Sequence, residues 1–377
     1  MLQKFLDEKP LYYDEIDYTR MPRVYEKIKQ ELPKPKIIHL IGTNGKGTTG
    51  RFLASSLHSL GFNTGHYTSP HILNFNERIW LNSKEVSDEI LDKTHKKLLS
   101  ILTQEDAAAL SYFEYTTFLA MLVYKGCDFV ILEAGLGGEH DATAVFDKEL
   151  TLVTPIDFDH EAFLGTTLTQ IATTKLNAIQ KNAIIGYQKF DEVYEIAQKK
   201  DAQIYEVREL LKDQDLQIIE DITKELELPK YLQDNLKLAV SALKFLDIEF
   251  SSFNFKNARL FGRLSKLNDN IYLDVGHNTL AATSILEALK PQKFVLVYNS
   301  YRDKNYREIL RILKPIIKHV EILQICDVRV EEIDKLQNVL IDLKIKYKDF
   351  TEIKERENYL VFGSFSVVEA FLKDFNE

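Results

Sequence analysis

The feature that most narrows the fold is a glycine-rich turn set between two segments of different periodicity. Ile37-Ile38-His39-Leu40-Ile41 is a largely apolar, β-branched run of strand type, and it leads directly into Gly42-Thr43-Asn44-Gly45-Lys46-Gly47-Thr48. The spacing predicts a helix from about Thr48, with Leu53, Leu57 and Leu60 at i, i+4 and i+7 and Gly61 at its stop. Strand, turn and helix in this order form a phosphate cradle. Glycines let backbone N–H groups turn inward, the helix start adds positive potential, and Lys46 supplies a mobile charge. Thr48 offers a hydroxyl to a nucleotide-bound Mg²⁺. The strict Walker pattern is not met, because Leu40 and Gly47 stand where it needs glycine and a serine or threonine.

The same rhythm continues downstream. A helical pattern from Glu114 to Lys125 precedes a strand at Phe129-Val130-Ile131-Leu132, which implies a mainly parallel sheet with helices on both faces. The last third repeats it, with strands expected at Ile271–Leu273, Phe294–Val297, Ile322–Ile325 and Tyr359–Phe362, as in a small Rossmann-like unit. Phe250 to Asn257 is polar and aperiodic and reads as a linker. At 377 residues the chain exceeds one compact core. The expected fold is therefore α/β: a P-loop parallel-sheet domain over 1–257 and a smaller Rossmann-like domain over 258–377.

Charge and cysteine content limit the partners. A net charge of -9 leaves no basic excess to neutralise a nucleic-acid backbone. Cys127 and Cys326 lie far apart and form no metal-ligand spacing, which suits a reduced cytoplasm. No segment has the apolar length of a signal peptide or a membrane helix, so no membrane partner is expected.

A shortened loop with glycine between lysine and hydroxyl resembles the GTNGKGS-type loop of folylpolyglutamate synthases and dihydrofolate synthases, members of the Mur ligase superfamily. Tyr67-Thr68-Ser69-Pro70-His71 followed by Phe75-Asn76-Glu77-Arg78-Ile79 is similar to that family's TSPH…NERI segment, which closes over the pterin. Phe113-Glu114-Tyr115-Thr116-Thr117 resembles FE-x-LT, whose aromatic lies near the pterin. Glu133-Ala134-Gly135-Leu136-Gly137-Gly138 with Asp141-Ala142-Thr143 is similar to EVGLGGRLDATN. Independently of the likeness, Glu133 ends an apolar strand, so its carboxylate emerges at the sheet edge where ligands bind and suits magnesium. Asp159-His160 with Leu164-Gly165 resembles LDH…LG, and Lys175 the lysine of EKAGI. Further on, Gly262-Arg263-Leu264, Asp274-Val275-Gly276-His277-Asn278, Asp303-Lys304-Asn305 and Gly363-Ser364 resemble GR, DGAHN, DKD and GS.

The resemblance spans most of the chain and implies roles for individual residues. ATP would be held by Thr43, Asn44, Gly45, Lys46, Gly47, Thr48, Asn235, Arg263, Asp274 and His277. Mg²⁺ would be held by Thr48 and Glu133, and a second metal by His160 and a carbamylated Lys175, with Lys46, Lys175 and His160 as the catalytic groups. Ser69, Pro70, His71, Phe113 and Asp141 would bind the acceptor. The implied activity is ATP-dependent ligation of L-glutamate to dihydropteroate or a reduced folate through an acyl phosphate, by a cytoplasmic monomer. Glu139 and Ala144 depart from the family's arginine and asparagine, Thr279 from its proline, and Tyr231-Leu232 from the HQ-x-x-N segment, of which Asn235 is kept. Two other readings stand beside this one: a Mur-type ligase for a different acceptor, and an inactive nucleotide-binding regulator.

Overall fold

The glycine turn lies at the centre of the larger of two sheets. The computed structural model describes residues 1–9 and 17–375. The larger sheet contains, in chain order, β1 (Lys36–Ile41), β2 (Thr64–Tyr67), β3 (Ile79–Leu81), β4 (Lys84–Glu85), β5 (Phe129–Glu133), β6 (Leu150–Val153), β7 (Asn182–Ile185) and β8 (Gln203–Glu206). Across the sheet they run β4-β3-β2-β5-β1-β6-β7-β8. Pairings from β2 through β8 are parallel, and the β2–β3–β4 edge is antiparallel. β1 pairs with β5 and β6, and Ile37 through Ile41 are all buried, as in a parallel strand covered on both faces.

Two helices bring the site to this sheet. Helix Lys46–Ser59 follows β1 and is buried over most of its circumference, which explains its weak amphipathic signal. Helix Tyr112–Val123 leads into β5. Ser111 and Glu114 cap its start reciprocally, and Glu114 also pairs with Arg20 at 2.7 Å in a site where both side chains are about 10% exposed.

The second sheet contains β9 (Ser265–Asn268), β10 (Ile271–Asp274), β11 (Phe294–Tyr298), β12 (Ile317–Ile322), β13 (Tyr347–Asp349) and β14 (Tyr359–Phe362), in the order β13-β12-β11-β14-β10-β9. It is parallel except for β9 at one edge. The chain divides into two compact units, Met1–Leu228 with Leu232–Arg259 and Pro229–Tyr231 with Leu260–Glu377. Ser252–Phe255, inside the segment read as a linker, is a turn of 3₁₀ helix with Phe255 fully buried. No helix among the described residues is long and apolar enough to cross a membrane.

One strand lies earlier than its sequence suggests. The apolar run Ile322–Ile325 contributes only Ile322, because β12 begins at Ile317 and carries Lys318, His319 and Glu321. Glu321 is buried within the strand, where Lys348 of β13 reaches it at 2.9 Å and His319 at 3.1 Å. A charge paired through one oxygen, Oε1, is thus hidden in a strand that reads as polar. Lys348→Met leaves that carboxylate without its ammonium partner and is expected to lower the unfolding free energy by about 2 kcal/mol. Adding Glu321→Leu is expected to recover most of the loss, both effects being read from urea denaturation.

Candidate active site

The turn after β1 is shaped by close packing. Gly42 takes φ +138°, and a Cβ there would lie 2.1 Å from Thr154 Oγ1. Thr43 and Asn44 donate their amides back to the Pro155 carbonyl, at 2.8 and 3.3 Å. Gly45 takes φ +91° and packs against the Asn235 carboxamide, whose oxygen would lie 2.4 Å from a Cβ. Thr49 donates to the Gly45 carbonyl at 2.9 Å, so the helix leaves the amides of Lys46, Gly47 and Thr48 without an intrahelical acceptor. These later amides, rather than those of Thr43 and Asn44, form the positive end of the cradle. Lys46 Nζ curls back to the carbonyls of Gly42 and Thr43 at 3.1 and 3.3 Å and lies 4.0 Å from Glu133 Oε1.

Glu133 joins this loop to the Thr68–His71 segment. Its Oε2 accepts from the Thr68 hydroxyl and from the Ser69 amide, the latter at 3.3 Å. His71 is half-buried, and desolvation with the adjacent Arg78 charge lowers its pKa to about 4. The ring is therefore neutral and accepts from Arg78 Nε at 2.8 Å. Glu77 accepts the amides of Ile72, Leu73 and Asn74, each at 2.7 Å, and so clamps the turn that follows His71. Phe113 stacks on Tyr67 with centroids 5.7 Å apart and covers Gly135, where a Cβ would lie 2.8 Å from its ring.

Asp141 works on its own loop. Its Oδ2 accepts the amides of Gly135 and Leu136 at 2.8 and 2.9 Å, and its Oδ1 accepts the amide and hydroxyl of Thr143 at 2.9 and 2.5 Å. The substrate contact implied for Asp141 thus competes with four donors already on its oxygens, while burial raises its pKa. Gly138 lies against the backbone of Lys175, 2.4 Å separating a notional Cβ from the lysine carbonyl oxygen. Lys175 is buried and donates from Nζ to the Gly42 carbonyl at 3.0 Å. Burial first, and then the Lys46 charge, lowers its pKa to about 7.

His160 follows Asp159 at the start of a short helix. It caps the short helix Glu161–Leu164 at φ +53°, its side chain is 40% exposed, and its Nε2 lies 3.9 Å from Asp159. Asp159 in turn acts electrostatically on Lys175. The departing residues serve local roles. Glu139 accepts from Asn177 Nδ2 at 2.5 Å, and the Ala144 carbonyl accepts from Lys148 Nζ at 2.8 Å. Both also line an open cavity of about 220 Å³ with Tyr18, Tyr25 and His140.

In the second unit, Asp274 ends β10 and repeats the task of Asp141. Its Oδ1 accepts the Gly276 amide at 2.7 Å, and its Oδ2 accepts the Leu264 amide at 2.8 Å and the Tyr231 hydroxyl at 3.2 Å. Burial raises its pKa, opposed by the Arg263 charge. Arg263 lies 5.3 Å over the Phe365 ring. His277 Nδ1 is 3.1 Å from the Val275 carbonyl, which fixes the proton on that nitrogen, and Asn278 caps the helix Thr279–Leu289.

Among the described residues, no three His, Cys, Asp or Glu side chains gather into a metal-holding group. The fit to a divalent cation rests instead on Thr48, whose hydroxyl is buried without a partner one turn into the helix, and on Glu133 at the end of β5. Two hard oxygen donors beside a phosphate-type turn suit Mg²⁺.

No protein-family model matches the chain. The dihydrofolate synthase/folylpolyglutamate synthase of Haemophilus influenzae is 30% identical over 410 residues, covering 95% of this chain and 93% of that protein. The chain belongs to the dihydrofolate synthase/folylpolyglutamate synthase family. The member from Escherichia coli is 31% identical over 76% of this chain and 72% of its own. The crystal structure of Helicobacter pylori folylpolyglutamate synthetase, 38% identical, superposes with a TM-score of 0.81 over 100% of this chain and 98% of that one. Escherichia coli FolC in complex with DHPP and ADP, 25% identical, gives 0.82 over 100% and 97%.

Within this member of the dihydrofolate synthase/folylpolyglutamate synthase family, sequence reading did not single out Thr68, Glu77, Arg78 or Gly138 for their contacts. Their signal lay in the TSPH, NERI and GLGG strings, but strings do not show which side chain meets which. Gly138→Ala is expected to lower turnover about 100-fold, as an ångström-scale shift of Lys175 would. Steady-state kinetics reads that loss, and nucleotide titration should still show binding.

Proposed function

We propose that this chain uses ATP to join L-glutamate to the carboxylate of dihydropteroate or of a reduced folate. What carries the reading is the convergence of Lys46, Thr48, Glu133 and Lys175 on the turn after β1, in a chain of this family. A carboxylate does not react with an amine directly, because its oxygen is a very poor leaving group. In the proposed first step an acceptor carboxylate oxygen attacks the γ-phosphorus of ATP, the bond to the β-phosphate oxygen breaks, and ADP leaves. The glutamate amine then attacks the acyl carbon, inorganic phosphate leaves, and the amine loses its proton.

Both steps bring anions together, so the chain's contribution is charge and position. Lys46 and the amides of Lys46, Gly47 and Thr48 face the phosphates, and Asn235 shapes Gly45 from behind. Thr48 and Glu133 are proposed to hold Mg²⁺, which when bound neutralises phosphate charge. Lys175, as a carbamate, is proposed to hold a second ion with the Asp159–His160 pair beside it. Phe113 and the Ser69–His71 segment are proposed to seat the pterin, with His71 acting as a neutral acceptor. Asp141 enters as the support of that seat. For Arg263, Asp274 and His277, and for Thr43 and Asn44, the nucleotide role rests on the resemblance alone. A monomeric state and a cytoplasmic location are part of the same proposal, and two free cysteines suit the reduced compartment.

The deciding measurement is ADP release with Mg-ATP and L-glutamate, with dihydropteroate and a reduced folate tested separately. Turnover is expected to require both glutamate and a pterin acceptor. ATP binding without turnover on either acceptor would discard this reading.

The Lys175 carbamate has its own test. Carbamylation needs the neutral amine, and a pKa of about 7 places that form above neutrality rather than above 10.5. With ¹³C-bicarbonate, a carbamate carbonyl resonance is expected at about pH 8 and lost by about pH 6, because protonation removes the nucleophile. Lys175→Ala should lack the resonance. Its persistence in that variant, or its absence from the native chain at pH 8, would remove Lys175 from the metal set.

A further inference from the structure

A buried hydrogen-bond chain runs behind the loop that carries these groups. His39, in the middle of β1, places Nε2 2.7 Å from Thr143 Oγ1. Thr143 Oγ1 donates to Asp141 Oδ1 at 2.5 Å, and Asp141 Oδ2 accepts the amides of Gly135 and Leu136. Donor inventory sets the direction. A carboxylate receiving three backbone amides and a hydroxyl acts as an acceptor, so the Thr143 proton points to Asp141. The Thr143 oxygen then accepts from His39, whose proton sits on Nε2. His39 Nδ1 is buried with no partner, and burial followed by the Lys148 charge keeps the ring neutral. Such a half-satisfied imidazole is costlier to bury than an aliphatic side chain, so packing alone does not account for it.

The turn this chain fixes is the one on which the site is assembled. Phe113 packs over Gly135, Glu133 lies two residues before it, and Gly138 seats the Lys175 backbone. We propose that His39 is a positioning residue which, through Thr143 and Asp141, holds the Gly135–Leu136 turn and thereby the acceptor's seat against Phe113. Its catalytic consequence rests on the ligase reading above. Its structural consequence does not, and the two are separable by experiment.

In His39→Leu, amide hydrogen exchange at Gly135 and Leu136 is expected to quicken about tenfold or more, and KM for the pterin acceptor to rise by a similar factor. Nucleotide affinity should stay unchanged, because Lys46 is held by the Gly42 and Thr43 carbonyls and Gly45 is packed on Asn235, outside this chain. His39→Gln, which keeps a donor near the position of Nε2, should restore both readouts most of the way. Thr143→Val should reproduce the defect and Thr143→Ser should not, which keeps the test open if His39→Leu fails to fold. Unchanged exchange at the two amides would overturn the proposal, as would a parallel loss of nucleotide affinity or a failure of His39→Gln to rescue. If the native chain shows no ligation at all, the function reading fails and the exchange measurements alone decide the role of His39.

Discussion

Two lysines converge on one carbonyl, and the rest of the site depends on how that is tolerated. Lys46 and Lys175 both donate to the Gly42 oxygen, at 3.1 and 3.0 Å. That oxygen is presented only because Gly42 adopts φ +138° and has no Cβ to strike Thr154. Two ammonium groups this close, one of them buried, repel through a medium that screens poorly. Burial first, and then the Lys46 charge, lowers the Lys175 pKa to about 7, while its hydrogen bond to Gly42 keeps the nitrogen in place. A neutral amine held in a fixed position is the form that can take up carbon dioxide. The turn therefore holds two lysine nitrogens of different character, one partly exposed beside Glu133 and one buried with a lowered pKa.

The two sheets share a second device. Asp141 follows β5 and Asp274 ends β10, each is buried, and each uses both oxygens to gather the backbone amides of a neighbouring turn. A carboxylate at the C-terminal edge of a parallel sheet is naturally read as a ligand for what binds there. Here geometry gives it an earlier task. It turns amide donors inward, so that the loop around it holds one conformation. Burial raises both pKa values, and accepted hydrogen bonds oppose that rise. Such residues shape a site by shaping the chain that bears it.

The architecture was legible because its signals are local. The strand into Gly42, the helix after it and the apolar runs at β5, β10, β11 and β14 each declare themselves within a few residues. β12 did not, since its buried Glu321 is made acceptable by Lys348, 27 positions later. The places of Lys46, Thr48 and Glu133 at the ends of a strand and a helix were readable. The task of Asp141 was not, nor were the clamp made by Glu77, the close approach of Gly138 to Lys175 and the bond from His39 to Thr143. Each is a pairing between segments, and no single segment encodes it.

Glu133 shows how such pairings divide one residue between two duties. Its Oε2 receives the Thr68 hydroxyl and the Ser69 amide, so that side of the carboxylate fixes the segment leading to His71. Its Oε1 faces Lys46 across 4.0 Å, too long for a strong ion pair and within reach of adjustment. A carboxylate offers about four lone-pair directions, so engagement on one oxygen need not release the other. Charge arriving at Oε1 would strengthen or weaken the pull on Lys46 while Thr68 and Ser69 stay held. The Gly42–Thr48 turn and the Thr68–His71 segment thus meet at one side chain at the end of β5. Replacing Glu133 by glutamine would keep the shape but turn one acceptor into a donor, which sets it against either the Ser69 amide or Lys46. The two oxygens of the side chain thus divide its contacts, with hydrogen bonds to Thr68 and Ser69 on one and the Lys46 charge opposite the other.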